Sequence, residues 1–218
     1  MERYFIFDKF NTWLDWRSVL TKKSITPSDV KTNYVSIDGM SGSLDLSEAL
    51  TGEVVYKDRT ISASFWTDEG SFTERAALLK RIVAALHGKK IKIIEPDDPA
   101  HYFYGRVAVK SVNNILPYAE YTLEATCEPW RYAMEETYRY IAVDSALPTN
   151  LVIRNNGVKT VCPVITVTGT VNIIYDGATT TLTDGSYKVS DIKLRQGVNV
   201  IGVSGNGSAS FAYREADI

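Results

Sequence analysis

The sequence predicts a mainly β protein with a single helix: an N-terminal α+β half, in which one helix covers one face of a sheet, followed by a small all-β domain. Three observations carry this prediction. Only the segment from Ser71 to Gly88 combines helical periodicity with a start and a stop signal. Extended, alternating segments flank it on both sides. Beyond Pro148 the chain turns to Val, Ile, Thr and Gly, with turn dipeptides about ten residues apart.

The helix is read from SFTERAALLKRIVAALHG. Ser71 and Glu74 form an S-x-x-E capping box, in which each side chain can satisfy a backbone donor at the helix start. Gly88 can adopt the left-handed conformation that ends a helix, and His87, Lys89 and Lys90 suit the negative end of its dipole. Phe72, Leu78, Leu79, Ile82, Val83 and Leu86 give the apolar face that packs on a sheet. Before it, TISASFWT (60–67) alternates as a strand does. After it, KIKII (90–94), HYFYGRVAVKSV (101–112) and YTLEATCE (121–128) read as further strands of a largely antiparallel sheet. EPDDPAH (95–101) is a Pro- and Asp-rich loop between two of them.

WRYAMEETYRYIAVDSALPTN reads as a connector, charged and aromatic first and closed by Pro148. Its aromatics, Trp130, Tyr132, Tyr138 and Tyr140, suit packing where two domains meet better than sugar stacking. The last segment shows Asp176-Gly177, Asp184-Gly185, Gln196-Gly197 and Asn206-Gly207, each read as a hairpin reversal. The expected domains are 1–140 and 141–218.

Charge and composition exclude several functions. The chain of 218 residues carries 24 Lys and Arg against 26 Asp and Glu, so no broad basic field attracts nucleic acid, and sequence-specific DNA binding is not expected. The charges concentrate in residues 1–140, with 18 basic and 20 acidic against 6 and 6 in the remainder. No stretch approaches the roughly 20 apolar residues of a membrane span. The opening MERYFIFDKFNTWLDW has charges through its first nine residues and no apolar h-region, so export is not expected and synthesis and folding are placed in the cytoplasm. Cys127 and Cys162 stand far apart with no CxxC spacing, as expected of reduced, structural thiols.

The search for chemistry nominates no catalytic residue, metal ligand or cofactor. His101 lies beside Asp97 and Asp98, but a polar turn entering a strand accounts for all three better than a metal or acid/base site does. No H-E-x-x-H, G-x-S-x-G, Walker or G-x-G-x-x-G pattern occurs. Gly39 to Phe65, GMSGSLDLSEALTGEVVYKDRTISASF, raises the sharper question. Asp45 and Glu48 could share a helical face as a hydrolase carboxylate pair would. The plainer alternative is that Asp45 and Ser47 cap short turns while Leu44, Leu46, Ala49 and Leu50 are buried.

Three blocks in order, DVKTNYVSIDGMSGSLDLSEALTGEVVYKDRTISASF, LHGKKIKIIEPDDPAHYFYGRVAVKSV and YTLEATCEPWRY, resemble the N-terminal domain of the distal tail proteins of long, non-contractile-tailed phages, the Dit family. NNGVKTVCPVITVTG and LRQGVNVIGVSGNGSASFAYRE resemble the small galectin-like β-sandwich that follows in that family. The resemblance covers nearly the whole chain. It implies a virion structural protein of the distal tail tip, without catalysis. N-terminal domains would form a homohexameric ring, joined on one face to the tail tube protein and on the other to the tail-associated hub protein, with receptor-binding proteins as further partners. By the same resemblance Leu44, Leu46, Leu50, Tyr56, Lys57 and Arg59 are the candidate ring-contact residues, apolar anchors with charges that fix register. Two readings of other classes stand beside it: a carbohydrate-binding adhesin for host attachment, and a cell-wall hydrolase using Asp45, Glu48, Asp97 or Asp98.

Overall fold

In the computed structural model, which describes residues 4–218, the chain is mainly β with one α-helix among the described residues. It divides into two compact units, one extending to Arg131 and one from Tyr132 to Asp217.

The first unit is built on a curled sheet. Its strands are β1 (Ile6–Phe7), β2 (Phe10–Asn11), β3 (Val19–Ile25), β6 (Arg59–Thr67), β7 (Lys90–Ile94), β8 (His101–Asn114) and β9 (Ala119–Ala133). They lie in the order β2-β1-β7-β8-β9-β6-β3. Between β3 and β6 in sequence, β4 (Tyr34–Ser36) and β5 (Ser43–Asp45) form a separate two-stranded hairpin. β6 pairs antiparallel with β9 from Arg59↔Cys127 to Thr67↔Ala119. Its burial alternates without a break, with Ile61, Ala63 and Phe65 turned to the core, as a strand with one covered face requires.

Helix α1 (Phe72–Leu86) follows β6 directly. The capping box is formed: Glu74 Oε2 accepts from the Ser71 backbone N–H at 2.7 Å, and Ser71 Oγ accepts from the Glu74 N–H at 3.3 Å. Gly88 has φ 78° and donates its N–H to the Val107 carbonyl at 2.8 Å, which ties the helix end to β8. His87 Nδ1 accepts from the Val109 N–H at 3.0 Å, and Arg106 donates to the Gly88 carbonyl. Leu78, Leu79, Ile82 and Leu86 are buried against the sheet. Phe72 is not part of that face; it is half exposed at the first turn.

Aromatic rings fill the centre of this core. Phe65 stacks on Tyr121 at 5.2 Å, Phe5 stacks on Phe7 at 5.7 Å, and Phe5 meets Phe65 edge-on at 6.1 Å. The apolar residues near the chain start are therefore core residues of β1 and its approach.

The expected connector is largely strand. β9 runs to Ala133, and Thr137–Val143 forms β10 of the second unit, paired along its length with β15 (Gly197–Tyr213). Of the charged residues that suggested a loop, Arg139 lies exposed on β10, while Glu135 and Glu136 fall in the bend between β9 and β10. The remaining strands of this unit are β11 (Thr149–Asn155), β12 (Val164–Tyr175), β13 (Ala178–Leu182) and β14 (Gly185–Tyr187), while the short β16 (Ala216–Asp217) pairs with β9. β15 organises the unit. One edge takes β11 and then β10, and the other takes β12. Ile153, Ile165, Val171, Ile201, Val203 and Phe211 close the core. Buried Asn155 donates to the Lys159 and Leu194 carbonyls and accepts from the Gly157 N–H, so all its polar atoms inside are matched.

Asp176-Gly177 is a two-residue hairpin turn, both residues having positive φ. Asn206-Gly207, expected to be another, lies inside β15. There the glycines serve a close approach of two backbones. A Cβ at Gly205 would lie 2.5 Å from the Thr170 carbonyl oxygen, and one at Gly207 would lie 2.2 Å from that of Thr168.

Candidate functional site

Residues 29–58 form an arm that takes no part in the core of its own unit. Its base is closed by an antiparallel bridge between Val30 and Tyr56, with Lys31 N–H donating to the Val55 carbonyl and Lys57 N–H to that of Asp29, each at 2.7 Å. The β4–β5 hairpin pairs Tyr34↔Asp45, Val35↔Leu44 and Ser36↔Ser43. Its turn uses Gly39 and Gly42, both with φ 84°, a conformation glycine adopts without the strain of a Cβ. Beyond the hairpin, Ala49, Thr51 and Gly52 donate their backbone N–H groups to the Leu46 and Glu48 carbonyls in a compact turn.

The two short-turn residues act as read from the sequence. Asp45 Oδ1 accepts from the Ser47 N–H at 2.9 Å and from its hydroxyl at 2.5 Å, and Ser47 Oγ in turn accepts from the Asn33 N–H at 2.8 Å. These Ser47 bonds hold the Asp45 carboxyl below the ordinary carboxylate range. Asp45 is thus engaged as a local cap.

The leucines do not follow the expected burial. No residue from Asp29 to Asp58 is buried; Leu44 and Ala49 are exposed, Leu46 is half-buried and Leu50 is wholly exposed. Tyr34, Val35, Ile37 and Met40 are exposed on the same arm. A protruding hairpin has only two strands and no second layer, so its side chains have nothing within the unit to pack on. Apolar surface gathered in this way on one protrusion is of the kind that interaction surfaces present.

The remaining candidates divide. Tyr56 packs edge-on against Trp130 at 5.4 Å and stays half-buried at the arm base, while Lys57 is exposed. Arg59 is removed from the contact set. It is 5% exposed, lies over the Phe103 ring at 5.3 Å and donates Nε–H to Ser28 Oγ at 3.0 Å. Burial, with the neighbouring Arg131 charge, draws its pKa down. As the first residue of β6 it faces inward with Ile61, and the alternation of that strand was the available signal.

The other carboxylates nominated for chemistry are matched to cations. Lys23 bridges Glu95 and Asp97, the latter at 2.6 Å. Asp98 receives His101 Nδ1 at 2.9 Å and Arg131 at 3.2 Å. This network ties the 95–101 loop to Lys23 of β3 and Arg131 of β9.

The aromatic residues of the second unit are mostly committed to its core. Phe211 is fully buried, Tyr213 donates its hydroxyl to the Arg154 carbonyl at 2.6 Å, and Tyr175 donates to the Lys193 carbonyl. Tyr132 accepts from Lys159 Nζ at 2.9 Å, whereas Tyr138 and Tyr140 are exposed on β10.

A groove lies beside α1 in the first unit. Ala76, Leu79, Lys80, Val83 and Ala84 form one wall and Val112 and Asn114 of β8 the other, enclosing about 460 Å³. Asn114 fixes that geometry by donating Nδ2–H to the Phe72 carbonyl at 2.8 Å. The groove was not anticipated, because it depends on which strand runs beside the helix.

No protein-family model matches the chain, and no curated protein does. Among solved structures, the Dit protein of phage SPP1, described as a paradigm of the hub adsorption apparatus in phages infecting Gram-positive bacteria, matches over 98% of this chain and 99% of its own, with a TM-score of 0.72 and 14% identity. A chain of the phage p2 baseplate in its activated conformation matches at a TM-score of 0.45 and 10% identity, over 99% of this chain and 98% of its own. The chain therefore has the Dit fold from end to end.

Proposed function

We infer that the protein is a non-enzymatic component of a phage tail tip, a distal tail protein whose first units assemble head to tail into a hexameric ring joining the tail tube to the hub. The observation that carries this reading is the arm at 29–58, a folded protrusion with its apolar residues outward, on a chain that shares the Dit fold over its full length. A heterologous contact of this kind uses two different surfaces on each copy and closes into a ring when the rotation permits. Leu44, Leu46, Leu50 and Lys57 are the contact residues of this reading, with Tyr56 and Trp130 bracing the arm base. The tube protein, the hub protein and receptor-binding proteins are its partners in the virion.

Leu50→Asp tests the contact without disturbing the fold, since the side chain touches nothing in its own unit. The expected result is a shift of the purified protein from a large assembly toward monomer by light scattering, with its melting temperature as a monomer unchanged. An assembly of unaltered mass and stability would remove the arm from the contact.

A further inference from the structure

We propose that the groove between α1 and the end of β8 is the receptor for the arm of a second copy of this chain, so that each copy inserts its Leu44–Leu50 segment into the groove of the next. The proposal rests on the ring reading above and assigns the surface that the arm meets.

Three observations converge on that occupant. The first is shape and polarity. The groove walls are apolar apart from Lys80 and Asn114, and Phe72, Val112, Ile115 and Leu116 carry exposed apolar surface from the helix start to the β8–β9 turn. Ala76 and Ala84, two turns apart on the helix, leave room that larger side chains would fill. The arm offers matching groups, Leu44 and the wholly exposed Leu50, on a backbone already fixed by its own hydrogen bonds, so little ordering entropy is lost on docking.

The second observation is charge. Residues 29–58 contain six carboxylates and two lysines, whereas the one charged side chain lining the groove is Lys80. An acidic arm thus faces a groove whose single charge is positive, which favours arm-to-groove contact and opposes arm-to-arm contact. Lys80, in the groove wall, has no ion-pair partner among the described residues. Glu48, exposed two residues before Leu50, has the opposite charge at the matching end of the arm.

The third observation is that arm and groove are two different surfaces of one unit. Such a pair produces the head-to-tail contact that rings require, whereas a self-complementary patch would stop at a dimer.

The test joins two single variants, Leu50→Cys and Ala84→Cys, each made with Cys162→Ser in the full chain. Cys127 can stay, because it is fully buried and burial pushes its thiol up to about 12, out of reach of maleimides. The two proteins are mixed and treated with a short bismaleimide. A cross-linked species of twice the chain mass, formed in the mixture and in neither protein alone, is the expected result, because only arm and groove of different copies can supply it. Assembly of full mass without that species overturns the groove as receptor while leaving the ring intact. A monomer that does not cross-link overturns both. Cross-linking within single chains of an Leu50→Cys/Ala84→Cys double variant, with none in the mixture, shows the arm seated on its own groove and overturns the second copy as occupant. A companion variant, Ala84→Trp, fills the groove from an exposed helix position. It is expected to weaken assembly about tenfold or more with the monomer melting temperature unchanged, and unaltered assembly contradicts the proposal.

Discussion

Gly105 shows how a single residue fixes the spacing of the sheet on which everything else is mounted. It lies in β8 against Cys127 of β9, and a Cβ there would sit 2.4 Å from Cys127 Sγ and 2.7 Å from its Cα. Relief requires the two strands to part, since a backbone atom cannot rotate away. Gly105→Ala is therefore expected to destabilise the first unit by about 1–3 kcal/mol, the usual range for an overpacked core. Urea unfolding followed by tryptophan fluorescence reads this unit alone, because Trp13, Trp16, Trp66 and Trp130 all belong to it. A transition midpoint equal to the parent's would mean that the strands have slack. At this scale the sequence was only partly legible. Asp45 and Ser47 announced their capping role by spacing alone, while Arg59 looked like a surface cation because its burial depends on Phe103 and Ser28, far from it in the chain.

Among the elements, α1 was the most legible, because its start and stop signals are local: a capping box at Ser71 and Glu74, and Gly88 beyond the last turn. Ser71→Ala should cost about 1 kcal/mol, as loss of an N-cap does. The Glu74 carboxyl is held below its ordinary value of 4.5, first by the Ser71 backbone N–H and then by its side chain. A carboxyl depressed in the folded state stabilises above its unfolded value and loses that effect as the pH falls through the folded one. The stability difference between Glu74→Gln and the parent is thus expected to be largest near neutral pH and to close as the pH is lowered below 4.5. A difference that grew toward acid would contradict the cap. The elements that were misread share one cause. Asn206-Gly207 has hairpin chemistry but lies within β15, where the close approach of β12 decides the matter, and Thr137–Val143 is a strand because β15 supplies its partner. Local turn and composition signals cannot report a pairing partner tens of residues away.

At the scale of the whole molecule, strand content, the single helix and the change of composition along the chain were all visible in the sequence, because periodicity and turn spacing record them directly. The arm was visible as a segment but not as a surface. Its leucines read as buried, and only the lack of any layer over the β4–β5 hairpin shows that they face solvent. In the proposed ring a further copy covers this apolar, acidic protrusion, and the groove that receives it carries Lys80. The mass of the purified full-length protein by light scattering, with class-averaged images of the same sample, tests this most directly. The account predicts a closed ring of six times the 24.3 kDa chain with an open centre. A strict monomer at high concentration, or a dimer that grows no further, would contradict it.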